Sequence, residues 1–354
     1  MIRLDEKYDK FKKNIEDVIT FMHFMHCHIE EEMTEDNLSL FRKVSVSPVP
    51  YNATIISLYG NIELFVDEVA ETYIDLIYSL VNGYSYLPKK MRDKHETVSG
   101  EFLTNPGRFL NYELSKESIV KNLNGCLQGE SRASLNKKMI LRHSANLRSD
   151  QIIVFFSELG VDAFKNKLFL NDILVKYYAD KNDISFESAR EKIHSLMKDE
   201  ELSRSLFFEL DNLVEQRNQV AHSGRVDAKK RFEYIENITI PFLLIIAETI
   251  IDILSNEIVL CAYKNGKMER FLEIYDVIDN RILLVNRGNN VFKIGDEISF
   301  EHNGKIGRTK IVSIRVKDED VQYIGNNDEK NISLSVEGKV KKNWNYFICT
   351  YQNK

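Results

Sequence analysis

Residues 214–225 read VEQRNQVAHSGR, and they end a predicted helix that begins near residue 201 and reaches about residue 222. Apolar side chains recur along this helix every three to four positions, as on the buried face of an amphipathic helix. They are Leu206, Leu210, Leu213, Val214, Val220 and Ala221. Gly224 predicts the stop, because glycine readily adopts the left-handed conformation in which many helices end. The stretch therefore predicts a helix that faces the core of an all-α unit.

Arg217 interrupts the apolar face of this helix. It follows Leu213 by four positions and Leu210 by seven, so it lies on the same side. A guanidinium keeps its charge, and its burial is costly unless carboxylate, carbonyl or phosphate oxygens meet it. Glu63, at the edge of the apolar stripe of an earlier helix, could be an acidic partner, although an ordinary exposed glutamate is the simpler interpretation.

His222 follows Arg217 by five residues, which is about 140° around a helix. A frayed last turn, or a second copy of the helix across a twofold axis, would bring it near an arginine. Histidine can transfer protons near neutral pH, and arginine can hold a phosphate with two hydrogen bonds. The amide of Asn218 could orient either group. These residues favour phosphodiester cleavage without a metal. The structural alternative is that Arg217 pairs with a core carboxylate and His222 caps the helix end.

Helical periodicity covers most of the first 256 residues. Predicted helices span about 5–32, 52–81, 115–125, 149–158, 162–179, 185–198, 201–222 and 228–256, the last with a possible kink at Pro241. Residues 83–109 contain three glycines and two prolines and are predicted to form a long loop. We expect an all-α domain over residues 1–256.

The tail, residues 258–354, has a different pattern. Short apolar runs, beginning with EIVLCAY at 257–263, alternate with turn sequences such as KNGK, RGNN and HNGK. Short strands at regular spacing are typical of a small antiparallel barrel. The chain is therefore predicted to have an α+β, two-domain fold, with a helical bundle followed by a β-barrel.

Composition and motifs exclude several function classes. A net charge of −6 argues against a uniformly basic nucleic-acid binder. Walker, GxGxxG, HExxH and GxSxG sequences are missing, so no cofactor is expected. His23, His26, Cys27 and His28 lie close together, but no matching ligands stand out elsewhere, and a polar helix end is favoured over a metal site.

The apolar run 240–254 is shorter than a membrane span and carries two acids, and the start lacks a signal core, so a cytoplasmic protein is expected.

The RNxxxH pattern of Arg217 to His222, in the context LDNLVEQRNQVAHSG, resembles the signature of the HEPN superfamily. The early helix ISLYGNIELFVDEV and the closing helix IPFLLIIAETII are similar to those of the same family. The resemblance implies a homodimer with a composite cleft and a metal-independent endoribonuclease that uses 2′-hydroxyl attack. Arg217 and His222 match its catalytic positions, and Asn218 matches a frequent polar position.

Two further implications follow from the HEPN resemblance. The role it implies is that of a toxin or antiphage-defence ribonuclease, with a defence-system or antitoxin protein as partner. One branch carries a tyrosine two residues after the histidine and pairs with a nucleotidyltransferase, whereas this chain has Gly224 there. Some members are inactive scaffolds, so the alternative is a non-catalytic protein that dimerises and binds a partner or RNA.

Residues 295–342 resemble the β-barrel second domain of translational elongation factors, which implies an accessory module that contacts RNA or protein. Its candidate basic face comprises Lys305, Arg308, Lys310, Arg315, Lys339, Lys341 and Lys342. In the helical part, Arg142 and Arg148 could follow an RNA backbone beside the cleft. The alternative for all of these cations is a solvated surface without a ligand.

Overall fold

The computed structural model describes residues 2–26, 39, 43–44, 47–107, 109, 115–130, 133–143, 146–224, 226, 230–270, 273–302, 305–317, 319–325 and 329–349. The chain forms two compact units. The first contains Met1–Tyr78 and Gly83–Leu254, and the second contains Ser79–Asn82 and Ser255–Lys354. A helical N-terminal region is thus followed by an antiparallel curled sheet, which confirms the predicted α+β fold class.

The described part of the first unit consists of helices and their connections, and the last residues of two of these helices, Val49–Leu80 and Ile240–Lys264, belong to the second unit. In chain order the helical elements are α1 Ile2–His26, α2 Val49–Leu80, a 3₁₀ turn Tyr84–Tyr86, α3 Lys89–Thr104, α4 Lys116–Gln128, α5 Lys137–Ile140, α6 Ser149–Glu158, α7 Phe164–Phe169, α8 Asp172–Asn182, α9 Phe186–Leu196, α10 Glu200–Leu206, α11 Phe208–Ser223, α12 Phe232–Tyr234, a π-helical segment Ile235–Thr239, and α13 Ile240–Lys264.

Helices α2 and α13 supply much of the buried apolar surface of this unit. On α2 the buried positions recur at three- and four-residue spacing, from Ile55 through Ile62 to Val69. The predicted helix at 52–81 is therefore confirmed, with bounds that differ by a few residues. Two predicted helices are divided: 162–179 becomes α7 and α8, and 201–222 becomes α10 and α11, with a turn at Phe207.

The prediction of a long loop at 83–109 is wrong for residues 89–104, which form α3. Pro88 stands at the N-cap, where a missing N–H costs nothing. Met91, His95, Ser99 and Phe102 then form one buried face at helical spacing. Gly100 is tolerated within the helix because a single glycine there costs only about 1 kcal/mol. The glycines and prolines therefore mark the ends and the surface of this segment.

The predicted strand EIVLCAY at 257–263 is also wrong, because α13 continues through it to Lys264. Ile258, Val259 and Ala262 continue the buried face that Leu254 belongs to. Tertiary packing outweighs the weak strand preference of β-branched residues.

Before α13, the backbone widens into the π-helical segment, where the N–H of Ile240 bonds to the carbonyl of Ile235. Pro241 lacks an N–H, and this wider turn accommodates the residue. Phe232–Lys264 is long and apolar enough to cross a membrane by length and composition, but 67% of its most apolar window is buried inside the protein, as in a core helix.

The strands of the second unit form an antiparallel sheet that curls into a half-barrel. Its strands are β1 Met268–Arg270, β2 Glu273–Ile278, β3 Ile282–Asn286, β4 Phe292–Lys293, β5 Glu297–His302, β6 Lys305–Val316, β7 Glu319–Val321, β8 Tyr323–Ile324, β9 Asn331–Val336 and β10 Asn345–Cys349. Among the described residues, the main sheet has the order β1-β10-β5-β6-β9-β3-β2, with β7 on β6 and a separate β4-β8 pair. The 12-residue strand β6 joins the two halves, pairing with β5 along its first part and with β9 along its second.

Candidate functional site

The first half of α11 is fixed by a buried carboxylate. Glu209 is only 4% exposed, and it accepts hydrogen bonds from Lys230 Nζ at 2.9 Å, from Thr239 Oγ1 at 2.7 Å and from the Tyr234 hydroxyl. Burial opposes the charged form, but these donors outweigh it, and the pKa of Glu209 lies below its ordinary value. Sequence reasoning missed this residue, since nothing in the local pattern distinguishes it from an exposed glutamate.

Two further contacts hold α11 against its neighbours. Asp211 caps the start of α6, because its carboxylate accepts from the Ser149 N–H at 2.7 Å and from the Ser149 hydroxyl at 2.9 Å. Burial raises the pKa of Asp211, although both hydrogen bonds from Ser149 oppose the shift. One turn further on, the Tyr51 hydroxyl of α2 donates to Gln216 Oε1 at 2.6 Å. These contacts thus fix the position of the helix that carries the RNxxxH sequence.

Arg217 is partly buried, and its guanidinium carbon lies 5.0 Å from the centre of the Tyr59 ring on α2. Its Nη1 donates to Asn218 Oδ1 at 3.4 Å, and Asn146 Nδ2 donates to the same oxygen at 2.7 Å. Within the described part of the chain, no carboxylate lies within ion-pair distance of this guanidinium. Arg217 is therefore held by an aromatic face and an amide, which leaves its charge without an acidic partner among these residues.

Tyr59 is buried beneath Arg217, and its hydroxyl donates to Glu63 Oε1 at 3.2 Å and accepts from the Leu147 N–H at 3.3 Å. Burial raises the pKa of Tyr59 to about 12, so the phenol stays protonated at neutral pH. The suggested direct pairing of Glu63 with Arg217 is wrong: Tyr59 contacts both side chains, and no ion pair joins them.

His222 lies in the last turn of α11 and is exposed. Among the residues that the structure describes, it forms no hydrogen bond or ion pair. Gly224 ends the helix with φ 67°, its N–H bonding to the carbonyl of Val220, and its own carbonyl accepts from Asn52 Nδ2 at 2.9 Å. The predicted helix stop is confirmed. The histidine is fixed at its backbone while its imidazole remains accessible.

A groove of about 620 Å³ between α3 and α6 contains one predicted substrate-binding residue, Arg142, and the neighbouring His143. The guanidinium of Arg142 lies over the Phe109 ring at 4.5 Å. His143 Nε2 is 3.9 Å from Glu63 Oε1 and 3.5 Å from Asp67 Oδ1, a cluster that the sequence did not reveal. Positive and negative side chains both line the groove, so it has no single-sign field that would select a phosphate.

The other predicted substrate contacts are exposed cations with acidic neighbours. Arg148 donates to Glu215 at 2.7 Å, with about half of both side chains in solvent. In the second unit, Lys310 is paired in register with Glu297, and Arg315 Nε donates to Asp320 at 2.6 Å. An irregularity between Ile311 and Ser313 lets Lys310 and Arg315 both face solvent along β6. Their role in RNA binding remains a prediction.

The histidine-rich stretch does not form a metal cluster among the described residues. His23 Nε2 instead lies 2.9 Å from Glu236 Oε1. The side chain of His26, together with Cys27 and His28, lies outside the described residues.

Fold and site together define a class of protein: a helical domain whose penultimate long helix ends in an arginine–asparagine–x₃–histidine sequence, followed by a curled antiparallel sheet. Residues 34–256 match the RiboL-PSP-HEPN family. Because this match spans more than half of the chain, the protein belongs to that family. No curated protein and no solved structure matches the chain.

Proposed function

We propose that this protein is a metal-independent endoribonuclease of the HEPN type. The observation that carries the proposal is the end of α11, where Arg217 lacks a carboxylate partner among the described residues and His222 is exposed one and a half turns later. A structural arginine would be expected to meet a carboxylate, and a structural histidine to be packed. Family membership supports the same interpretation.

The chemistry assigned to these residues is a transesterification within RNA. The 2′-oxygen attacks the adjacent phosphorus, the bond from phosphorus to the 5′-oxygen breaks, and a 2′,3′-cyclic phosphate and a 5′-hydroxyl result. His222 accepts the proton of the 2′-hydroxyl as a general base. Arg217 binds the phosphate oxygens and stabilises the negative charge that grows in the transition state. Asn218 helps to orient the phosphate.

A homodimer completes this mechanism. The proton that the 5′-oxygen gains must come from a second acid, and His222 of a second copy would supply it if a twofold axis passes beside the exposed end of α11. In this proposal the protein acts in the cytoplasm as a toxin or antiphage-defence nuclease with a partner protein. The curled sheet, through exposed cations such as Lys310 and Arg315, would add RNA contacts, in line with its resemblance to an elongation-factor barrel.

A second candidate function is that of a non-catalytic HEPN scaffold that dimerises and binds a partner or RNA. One observation favours it: no contact joins Arg217 to His222 among the described residues of one chain. The two candidates differ in whether His222 is needed for a chemical reaction.

The test incubates purified protein with a mixed tRNA and mRNA pool in EDTA and compares it with the His222→Ala variant. His194→Ala is a matched control, because His194 is also an exposed histidine in the last turn of a helix. We expect wild type and the control to leave cyclic-phosphate ends, and His222→Ala to lose at least about 100-fold in rate. Equal cleavage by all three would reject His222 as the catalytic residue, and no cleavage by any would favour the scaffold.

A further inference from the structure

Four side chains form a closed ring of contacts around Arg217. The guanidinium lies over Tyr59, the Tyr59 hydroxyl is 3.5 Å from Asn146 Oδ1, Asn146 Nδ2 donates to Asn218 Oδ1, and Arg217 donates to the same Asn218 oxygen. The members come from α2, from the segment before α6, and from α11. Parts of the chain that are far apart in sequence thus converge on one guanidinium.

The connection between Tyr59 and the segment before α6 does not depend on the long contact with Asn146. The N–H of the next residue, Leu147, donates to the Tyr59 hydroxyl at 3.3 Å, and the hydroxyl proton has a nearer acceptor in Glu63 at 3.2 Å. Leu147 is fully buried, which fixes the backbone on which Asn146 stands. Tyr59 therefore supports Arg217 directly through its ring and indirectly through Asn146.

The ring of four contacts also determines which hydrogen-bond donors remain for a ligand. Asn218 Oδ1 is occupied by two donors, whereas Asn218 Nδ2 forms no hydrogen bond among the described residues. A guanidinium over an aromatic face loses rotamer freedom but keeps donors in its plane. The result is a set of N–H donors from two adjacent residues, with no described carboxylate within ion-pair distance of the guanidinium, which suits an anion such as a phosphodiester.

We propose that Tyr59 and Asn146 are positioning residues that hold Arg217 and Asn218 in the orientation that binds the scissile phosphate. This inference rests on the proposed ribonuclease function and adds two residues to it, neither of which is in the RNxxxH sequence. Holding a flexible arginine in advance lowers the entropic cost of reaching the transition state. Losing this ring of four contacts should therefore slow the chemical step more than it weakens RNA binding.

The test compares Tyr59→Phe, Tyr59→Leu and Asn146→Asp with wild type in single-turnover RNA cleavage in EDTA. Tyr59→Phe keeps the aromatic face and should stay within about threefold of wild type, whereas Tyr59→Leu should lose about tenfold in the cleavage rate constant. Asn146→Asp removes the donor to Asn218 at nearly constant shape, and a similar loss of about tenfold is expected. Half-saturating RNA concentrations should change less than about threefold.

Tyr51→Leu is the matched control for loss of a buried tyrosine. Tyr51 also lies on α2 and bonds to α11, through Gln216, but it does not contact Arg217. A merely structural role of Tyr59 would make the two leucine variants equally slow at an equal folded fraction, and that result would overturn the proposal. Asn146→Asp keeps the test decisive if both leucine variants fold poorly.

A second readout does not depend on activity. In protein labelled with ¹⁵N-arginine, the Arg217 Nε–H signal, assigned from an Arg217→Lys sample, should show the relaxation of a rigid group in wild type and Tyr59→Phe. It should become mobile in Tyr59→Leu and Asn146→Asp. An Arg217 signal that is equally mobile in all samples would overturn the ring as a positioning device. If the wild type does not cleave RNA, the proposed function fails, whereas the relaxation data still show whether Tyr59 and Asn146 hold Arg217 in place.

Discussion

In the first half of α11, the carboxylates of Glu209 and Asp211 are surrounded by donors, whereas in its last turn the imidazole of His222 lies in solvent. Arg217 stands between these extremes, partly buried and supported by an aromatic ring. Along this one helix, the carboxylates near the start have hydrogen-bond partners, whereas the imidazole at the end has none among the described residues.

The difference separates what stabilises the helix from what can act on a ligand. A buried polar group contributes to stability only when its partners are in place, and it is then unavailable for chemistry. The exposed imidazole of His222 contributes little to stability, but it stays accessible to a ligand. The comparison predicts that variants of the first half lose stability, and variants of the second half lose activity.

The largest effect is expected for Glu209→Ala. The variant leaves the partly buried Lys230 ammonium without its carboxylate, and loss of one partner of a buried pair costs up to about 3–5 kcal/mol. Urea unfolding would measure the loss. Glu215→Ala, an exposed glutamate of the same helix, should cost less than about 1 kcal/mol. A Glu209→Ala variant as stable as Glu215→Ala would contradict the assignment of a stabilising role to the first half of α11.

Measuring the free energy of unfolding as a function of pH tests the burial of His95. His95 is fully buried, with Asn136 N–H donating to Nε2 at 3.1 Å and the Tyr84 hydroxyl 3.1 Å from Nδ1. Burial lowers the pKa of His95 to about 4, below the 6.5 of a free histidine. The unfolded chain therefore binds the extra proton between these values, and stability falls as the pH drops from 6.5 towards 4.

The expected loss over this range is about 3 kcal/mol, since one pKa unit corresponds to about 1.4 kcal/mol. In His95→Gln, stability should fall less steeply with acid, although the variant starts from a lower stability. Parallel curves for wild type and His95→Gln would show that other groups cause the acid sensitivity.

Replacing Arg217 by lysine tests the functional half of the comparison. Lysine keeps the charge but loses the planar pair of donors, and we expect RNA cleavage to fall about 100-fold. The melting temperature should change by less than about 3 °C, because the partners of Arg217 are a ring face and an amide. Arg190→Lys is the control, an exposed arginine with no assigned role that should lose less than about threefold. Full activity in Arg217→Lys would mean that general charge, and not the fixed planar pair of donors, serves the reaction.

The sequence predicted those parts of the molecule that follow from local periodicity. The long faces of α2 and α13 and the stop at Gly224 could be read directly, because burial repeats with the helical period and a left-handed cap favours glycine. The segment 89–104 was misread because its prolines and glycines lie at ends or on the surface. For 257–263, β-branched residues suggested a strand, whereas packing extends a helix.

Within the site, the sequence indicated the residues of RNxxxH but not their surroundings. Tyr59 and Asn146 are 158 and 71 positions from Arg217, and no periodicity connects such distant residues. The same holds for Glu209, because no periodicity connects it with its partners Lys230 and Thr239 in a later part of the chain. Arg217 was recognisable from the residues themselves because a charge on an apolar face violates the local pattern, and such violations are where functional sites are expected.

The smallest predicted effect distinguishes the end of α11 from an ordinary helix end. Gly224 and Gly129 both end helices, with φ 67° and 71°, and a β-carbon added at either would meet no atom within 4 Å. Alanine at either site should therefore cost about 1 kcal/mol from backbone strain alone. Only Gly224→Ala should also slow RNA cleavage, by about three- to tenfold, because fraying of that turn displaces His222. Thermal melts and single-turnover assays on both variants make the comparison, and an equal loss of activity in Gly129→Ala would mean that the effect arises from stability and not from the placement of His222.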